Sequence, residues 1–160
     1  MLRQIERVKE QWGGRHDTID KWLHARQQLL VQYCELLGLN QEQATLPDVS
    51  LINAFCEIMM DYLSAGHFEV YDMLVNHDER GTALKEAIYP KIANTTDHAL
   101  IFNDRYTEAV TSDQAQSFDT DLSALGEVLE ERFELEDELI NHMFHNYAGD
   151  SAIDTPPRQQ

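Results

Sequence analysis

The run Asp61-Tyr62-Leu63-Ser64-Ala65-Gly66-His67-Phe68, followed closely by Tyr71, brings a carboxylate, a hydroxyl, a glycine and an imidazole together. Asp61, Ser64 and His67 stand at i, i+3 and i+6, so on a helix the outer two fall about 60° to either side of Ser64. Such a set can exchange protons or meet a polar partner. Leu51, Ile52, Phe55, Ile58, Met59, Tyr62 and Leu63 recur at three-and-four spacing, which places the run late in an amphipathic helix. Gly66 costs about 1 kcal/mol relative to alanine inside a helix, so it asks for a kink, a break or a close contact. The plain alternative is a bent helix whose polar residues face water.

A second set lies on the last apolar segment. Glu127 to Glu138 holds seven acids and one arginine, and like charges at i, i+4 each cost a few tenths of a kcal/mol. Most such runs are solvated faces. Glu136, however, follows Leu129 by seven and Phe133 by three, which puts it on the apolar stripe, where a carboxylate needs a partner. Arg26 follows Trp22 by four and Leu23 by three and also leans inward. We expect a semi-buried network of Asp20, Arg26, Asp61, His67 and Glu136 lining a groove between helices. The alternative is that each meets water on its own.

Other chemistries find less support. Di-iron bundles use Glu-x-x-His on two helices, and the chain has no such motif. Glu138 and His142 stand at i, i+4 and His142 and His145 at i, i+3, near a helix end, while His24, His67 and His98 fall on separate helices. A carboxylate/histidine metal bundle is the enzyme-class alternative, but the reading carries no metal ligand and no cofactor. A Gly-rich phosphate loop, a nucleophile elbow and a Cys-x-x-Cys pair are all missing from the sequence. We expect no enzyme.

Four amphipathic helices must position these residues. The first spans about residues 16–37, with Ile19, Trp22, Leu23, Leu29, Leu30, Tyr33 and Leu36 or Leu37 inward and Gly38 as its stop. After a loop over Asn40–Pro47, Asp48 or Ser50 caps the second, about 48–76. The third starts near Thr82 and carries Leu84, Ala87, Ile88, Ile92, Thr95, Ala99, Leu100, Asn103 and Tyr106, with a kink or break at Pro90. The fourth, about 113–147, carries Phe118, Leu122, Leu125, Leu129, Phe133, Ile140 and Phe144. Leu2, Ile5, Val8 and Trp12 make a short N-terminal helical arm before Gly13-Gly14. The fold class is all-α, an antiparallel four-helix bundle with short connections.

At 160 residues, 42% apolar and 26% charged, the chain suits one globular domain, residues 1–150, with a disordered tail at 151–160. Twelve Lys and Arg stand against 29 Asp and Glu, a net charge of −17. No Lys or Arg occurs from Gln27 to Glu79, where nine acids do, nor from Tyr106 to Glu131, where seven do. Such a surface repels nucleic acid and membrane phosphate and attracts basic partners, although net charge also serves plain solubility. No apolar run approaches the length of a membrane span, and Met1–Arg7 lacks the core of a signal peptide. Cys34 and Cys56 each fall on an apolar stripe, as small buried hydrophobes with reduced thiols. We expect a cytoplasmic protein.

Three motifs in register carry a resemblance over about Gln11 to His145: Asp20-Lys21-Trp22-Leu23-His24-Ala25-Arg26, the run Asp61–Phe68 with Val70-Tyr71, and Arg132-Phe133-Glu134-Leu135-Glu136-Asp137. Together they resemble the Rsd/AlgQ family of bacterial regulators that bind the primary sigma factor of RNA polymerase. The resemblance implies a helical bundle without enzymatic activity. It also implies an anti-sigma factor that binds the C-terminal, −35-reading domain of sigma and keeps it from core polymerase and promoter DNA as growth slows. By resemblance Asp61 is a sigma-binding residue, and Trp22, Arg26, Ser64, His67, Phe68, Phe133, Glu136 and Asp137 are further candidates. Some members of that family also meet a phosphotransfer carrier protein and a stringent-response enzyme. A stress regulator acting mainly on another cytoplasmic protein is thus a further alternative.

Overall fold

The computed structural model describes residues 17–43, 48–75, 78–107 and 112–154. They form α1 (Asp17–Gln43), α2 (Val49–Ala65), a π-helical segment (Gly66–Val70), α3 (Tyr71–Val75), α4 (Glu79–Tyr106) and α5 (Ser112–Asp154), with no strand among them. Because α2, the π segment and α3 follow one another directly, they make the second of four rods. Contacts fix the directions. Trp22 meets Tyr62 and Tyr33 meets Phe55, so α1 and the second rod run oppositely. Phe55 meets Phe102 and Tyr71 meets Tyr89, which reverses α4 in turn. Arg132 reaches Thr96 while Tyr106 reaches Asp121, reversing α5. The molecule is an all-α antiparallel helical bundle, as the periodicity predicts.

Local chemistry sets the helix starts. The Asp48 side chain accepts the Ser50 amide at 3.1 Å, and the Asp78 side chain accepts that of Gly81 at 2.6 Å, so both are N-caps. Capping at Asp78 starts α4 at Glu79, ahead of the expected Thr82. Gly38 does not stop α1, which continues to Gln43 and takes in Asn40 to Gln43 of the expected loop. Of the kink or break expected at Pro90, the break is not seen; α4 passes through the proline as one helix. Pro90 is exposed, as is Glu86 one turn earlier, so the carbonyl deprived of its donor can meet water. The expected arm at residues 1–12 lies outside the described residues, as do residues 155–160 of the expected tail at 151–160, whose first four residues continue α5.

The stripes bury mainly as the spacing predicts. On α4 the inward set is Ile88, Ile92, Thr95, Ala99, Phe102 and Tyr106, a clean three-and-four series, while Ala87 and Leu100 turn outward. Leu51 is also exposed, and so is Cys34; only Cys56 has the buried place expected for both thiols. One end of the core is aromatic: Phe102 packs edge-on against Phe55 at 6.2 Å, and Tyr106 edge-on against Phe118 at 5.1 Å. The other end is ionic.

Candidate functional site

The ionic end is built from all four rods around one carboxylate. Glu136 on α5 has no accessible surface. Its Oε1 accepts from the Tyr62 hydroxyl and, at 3.1 Å, from Arg26. Its Oε2 accepts from the Tyr71 hydroxyl and, at 3.2 Å, from Arg132 one turn earlier. Arg26, equally buried, also donates to Tyr62 at 2.9 Å and to Asp137 at 2.7 Å. Arg132 completes its fork on Tyr71 at 2.8 Å, Thr96 at 2.7 Å and Thr95 at 3.1 Å. Two guanidinium groups thus face two carboxylates, and the polar demand of buried charge is met within the site. The Arg26 guanidinium lies 4.9 Å from the Phe133 ring centre and 5.3 Å from that of Trp22, whose ring stacks on Tyr62.

Protonation follows from that enclosure. Burial alone would lower Arg26, but Tyr62, Glu136 and Asp137 outweigh it and hold the guanidinium above its ordinary value. Burial, reinforced by Glu136, pushes the hydroxyls of Tyr62 and Tyr71 well up, so both stay protonated donors. Burial also lifts Asp137, against the opposing pull of Arg26. With a bond of 2.7 Å and a side chain still 12% exposed, Arg26 and Asp137 form an ion pair at neutral pH. The net stability of such a buried network is small, but removing one member leaves a buried charge uncompensated.

Gly66 explains how the second rod serves this network. Tyr62 and Tyr71 are nine residues apart, which on a uniform α-helix at 100° per residue sets them about 180° from each other. The π segment, in which the Tyr71 amide bonds back to the Gly66 carbonyl, absorbs one extra residue and leaves them about 80° apart. Both hydroxyls then reach Glu136. A Cβ on Gly66 would lie 3.0 Å from the Tyr71 hydroxyl and 3.1 Å from Trp22 Nε1, so the close contact expected of this glycine is real.

The outward side of the same rod holds the other candidates. Asp61, Ser64, His67 and Phe68 are all exposed, Phe68 by 80%. The expected network is therefore corrected: Arg26 and Glu136 form it, whereas Asp61 and His67 lie in solvent and Asp20, half-buried, stands apart. Trp22, Arg26, Phe133 and Glu136 have at most 1% of their surface accessible and Asp137 9%, so they belong to the interior. Tyr62, Tyr71, Arg132, Thr95 and Thr96 are the members that sequence reading missed. Arg132 carried a usable signal, since it precedes Glu136 by four.

Between the second rod and α4 opens a cleft of about 540 Å³. Met60, Leu63, His67 and Phe68 line one side, and Tyr89, Ile92 and Asp97 the other. Tyr71 belongs to both regions: it walls the cleft while its hydroxyl sits in the network. Among the described residues no three His, Cys, Asp or Glu side chains gather as a metal site, and no helix is long and apolar enough to cross a membrane.

In comparison with known proteins, residues 1–144 match the family described as regulator of RNA polymerase sigma(70) subunit, Rsd/AlgQ. The chain belongs to the Rsd/AlgQ family. A protein named regulator of sigma D from Yersinia pseudotuberculosis is 35% identical over all of this chain and 99% of its own length. Two others of that name, from Yersinia enterocolitica and Pectobacterium atrosepticum, are each 38% identical, over 88% and 91% of this chain and 88% and 100% of their own lengths. The Rsd/AlgQ family is one of regulators, and the three motifs that carry the resemblance all fall inside the matched residues.

Proposed function

We propose that this protein is a cytoplasmic anti-sigma factor that binds the C-terminal, −35-reading domain of the primary sigma factor and so blocks its access to core RNA polymerase and promoter DNA. Membership of a family of sigma(70) regulators carries this reading. The surface supports it. Glu57, Asp61 and Ser64 at i, i+4 and i+7 form an exposed stripe on a rod without Lys or Arg. A helix-turn-helix domain built to meet phosphate presents the opposite charge. Phe68 beside that stripe offers apolar area.

Each candidate then has a role. Asp61, Ser64, His67 and Phe68 contact sigma, while Trp22, Arg26, Phe133, Glu136 and Asp137 hold the rod that presents them. Calorimetric titration against the isolated sigma C-terminal domain, with Asp61→Ala alongside, tests this. One-to-one binding that weakens with salt and is lost in the variant is expected; absence of binding at low salt would refute the proposal.

A further inference from the structure

The cleft beside Tyr71 has the volume, about 540 Å³, of a small-molecule site. It is also preformed. Tyr71, which walls it, is fixed by its bonds to Glu136 and Arg132, so that wall is held in place before any ligand arrives. Its lining is mostly apolar and aromatic, from Met60, Leu63, Tyr89 and Ile92, with a few polar groups. Among the described residues no Lys or Arg lines it, and Asp97 is its one carboxylate. The nearby Lys85 is engaged, lying 3.5 Å from Asp72 and 5.2 Å from the Tyr89 ring centre.

These features choose a ligand chemistry. An anion would enter a chain of net charge −17 and meet Asp97, with no Lys or Arg and only the His67 imidazole on the walls to receive it. An ammonium gains from both, and a hydrophobic body matches the walls. We propose that the cleft binds a small organic amine, its apolar body against Met60, Leu63 and Tyr71 and its ammonium at Asp97. This inference does not depend on the anti-sigma reading, because it concerns the free protein.

The probe is 4-phenylbutylamine, compared with 4-phenylbutanol and 4-phenylbutyrate at about 0.15 M salt, where long-range attraction is screened. Binding is read from chemical-shift changes at Met60, Ala93 and Ile92. The amine should bind about fivefold more tightly than the alcohol, and the butyrate least tightly. Asp97→Asn should bring amine and alcohol within about twofold, while Asp104→Asn, on an exposed α4 acid away from the cleft, should leave the preference intact. Ala93→Trp, which fills the cleft from an exposed position, should remove the shifts at unchanged helicity. Equal binding of amine and alcohol, shifts elsewhere, or no amine binding would overturn the proposal, whatever the outcome with sigma. If Ala93→Trp does not fold, the wild-type shift map and the two Asn variants decide the matter alone.

Discussion

Two carboxylates lie on opposite sides of the second rod, and the contrast between them shows how the molecule divides its work. Glu136 faces the inner side, without accessible surface and with four donors. Asp61 is on the outer side, exposed to water. The first cannot be changed without leaving two arginines buried and short of a partner. The second can be changed at almost no structural cost. Interior charge thus fixes where the rod lies, and exterior charge remains available for recognition.

Glu136→Ala breaks this contrast most severely. Removing one member of a buried ionic group costs about 3–5 kcal/mol, which urea denaturation would read as a large fall in midpoint at nearly constant slope. Replacing Arg26, Arg132 and Glu136 together by apolar residues of similar volume should cost less than Glu136→Ala alone, since no charge is then left unpaired. A loss under about 1 kcal/mol for Glu136→Ala would mean that water reaches the site and that the network does not hold the rod.

Gly66→Ala comes next. A Cβ there would press on the Tyr71 hydroxyl and the Trp22 indole. Overpacking of this kind costs about 1–3 kcal/mol, and alanine's better helix propensity returns about 1. We expect a net loss of about 1 kcal/mol with an altered near-ultraviolet signal from Trp22. A gain in stability would show that the π segment does not depend on the missing Cβ.

That position also shows what a sequence can convey. Arg26 and Glu136 were legible as inward charges because their offsets from Trp22, Leu23, Leu129 and Phe133 are short and lie on uninterrupted helix. Tyr71 was not assigned to the network, because its relation to Tyr62 runs through a π turn that constant 100° stepping cannot foresee. Asp61, expected in the network, lies in solvent although Tyr62 beside it is buried; adjacent residues on a helix point about 100° apart, so an inward neighbour places no residue inward. The bundle itself was plain, because long stripes average over such local slips. Gly38 misled for the opposite reason: a glycine can end a helix but does not compel it to end.

Alkaline pH gives a smaller, graded test of the interior. Burial pushes the Cys56 thiol from an ordinary 9 up to about 12, and burial with Glu136 raises Tyr62 and Tyr71 above 10. Between these limits the unfolded chain has released protons that the native chain still holds, so stability falls as pH rises through 9 to 12. Cys56→Ala should therefore cost more at pH 7 than at pH 11, because only the wild type keeps this penalty. Equal costs in urea melts at the two values would mean that the thiol titrates alike in both states.

Asp61→Ala has the smallest expected effect on the fold and completes the contrast. Its carboxylate is exposed, and substitutions at such positions usually shift stability by less than about 0.5 kcal/mol. Under the proposed function the same change weakens sigma binding by about tenfold or more, as loss of a central interface group does. The pairing of these two numbers is what matters. A variant that loses binding and stability together would place Asp61 with Glu136 as a support of the rod. A variant that loses neither would move recognition to another acidic stretch, the run from Tyr106 to Glu131 being next. Lost binding at unchanged stability would show that the outer face reads the partner while the inner face only holds it in place.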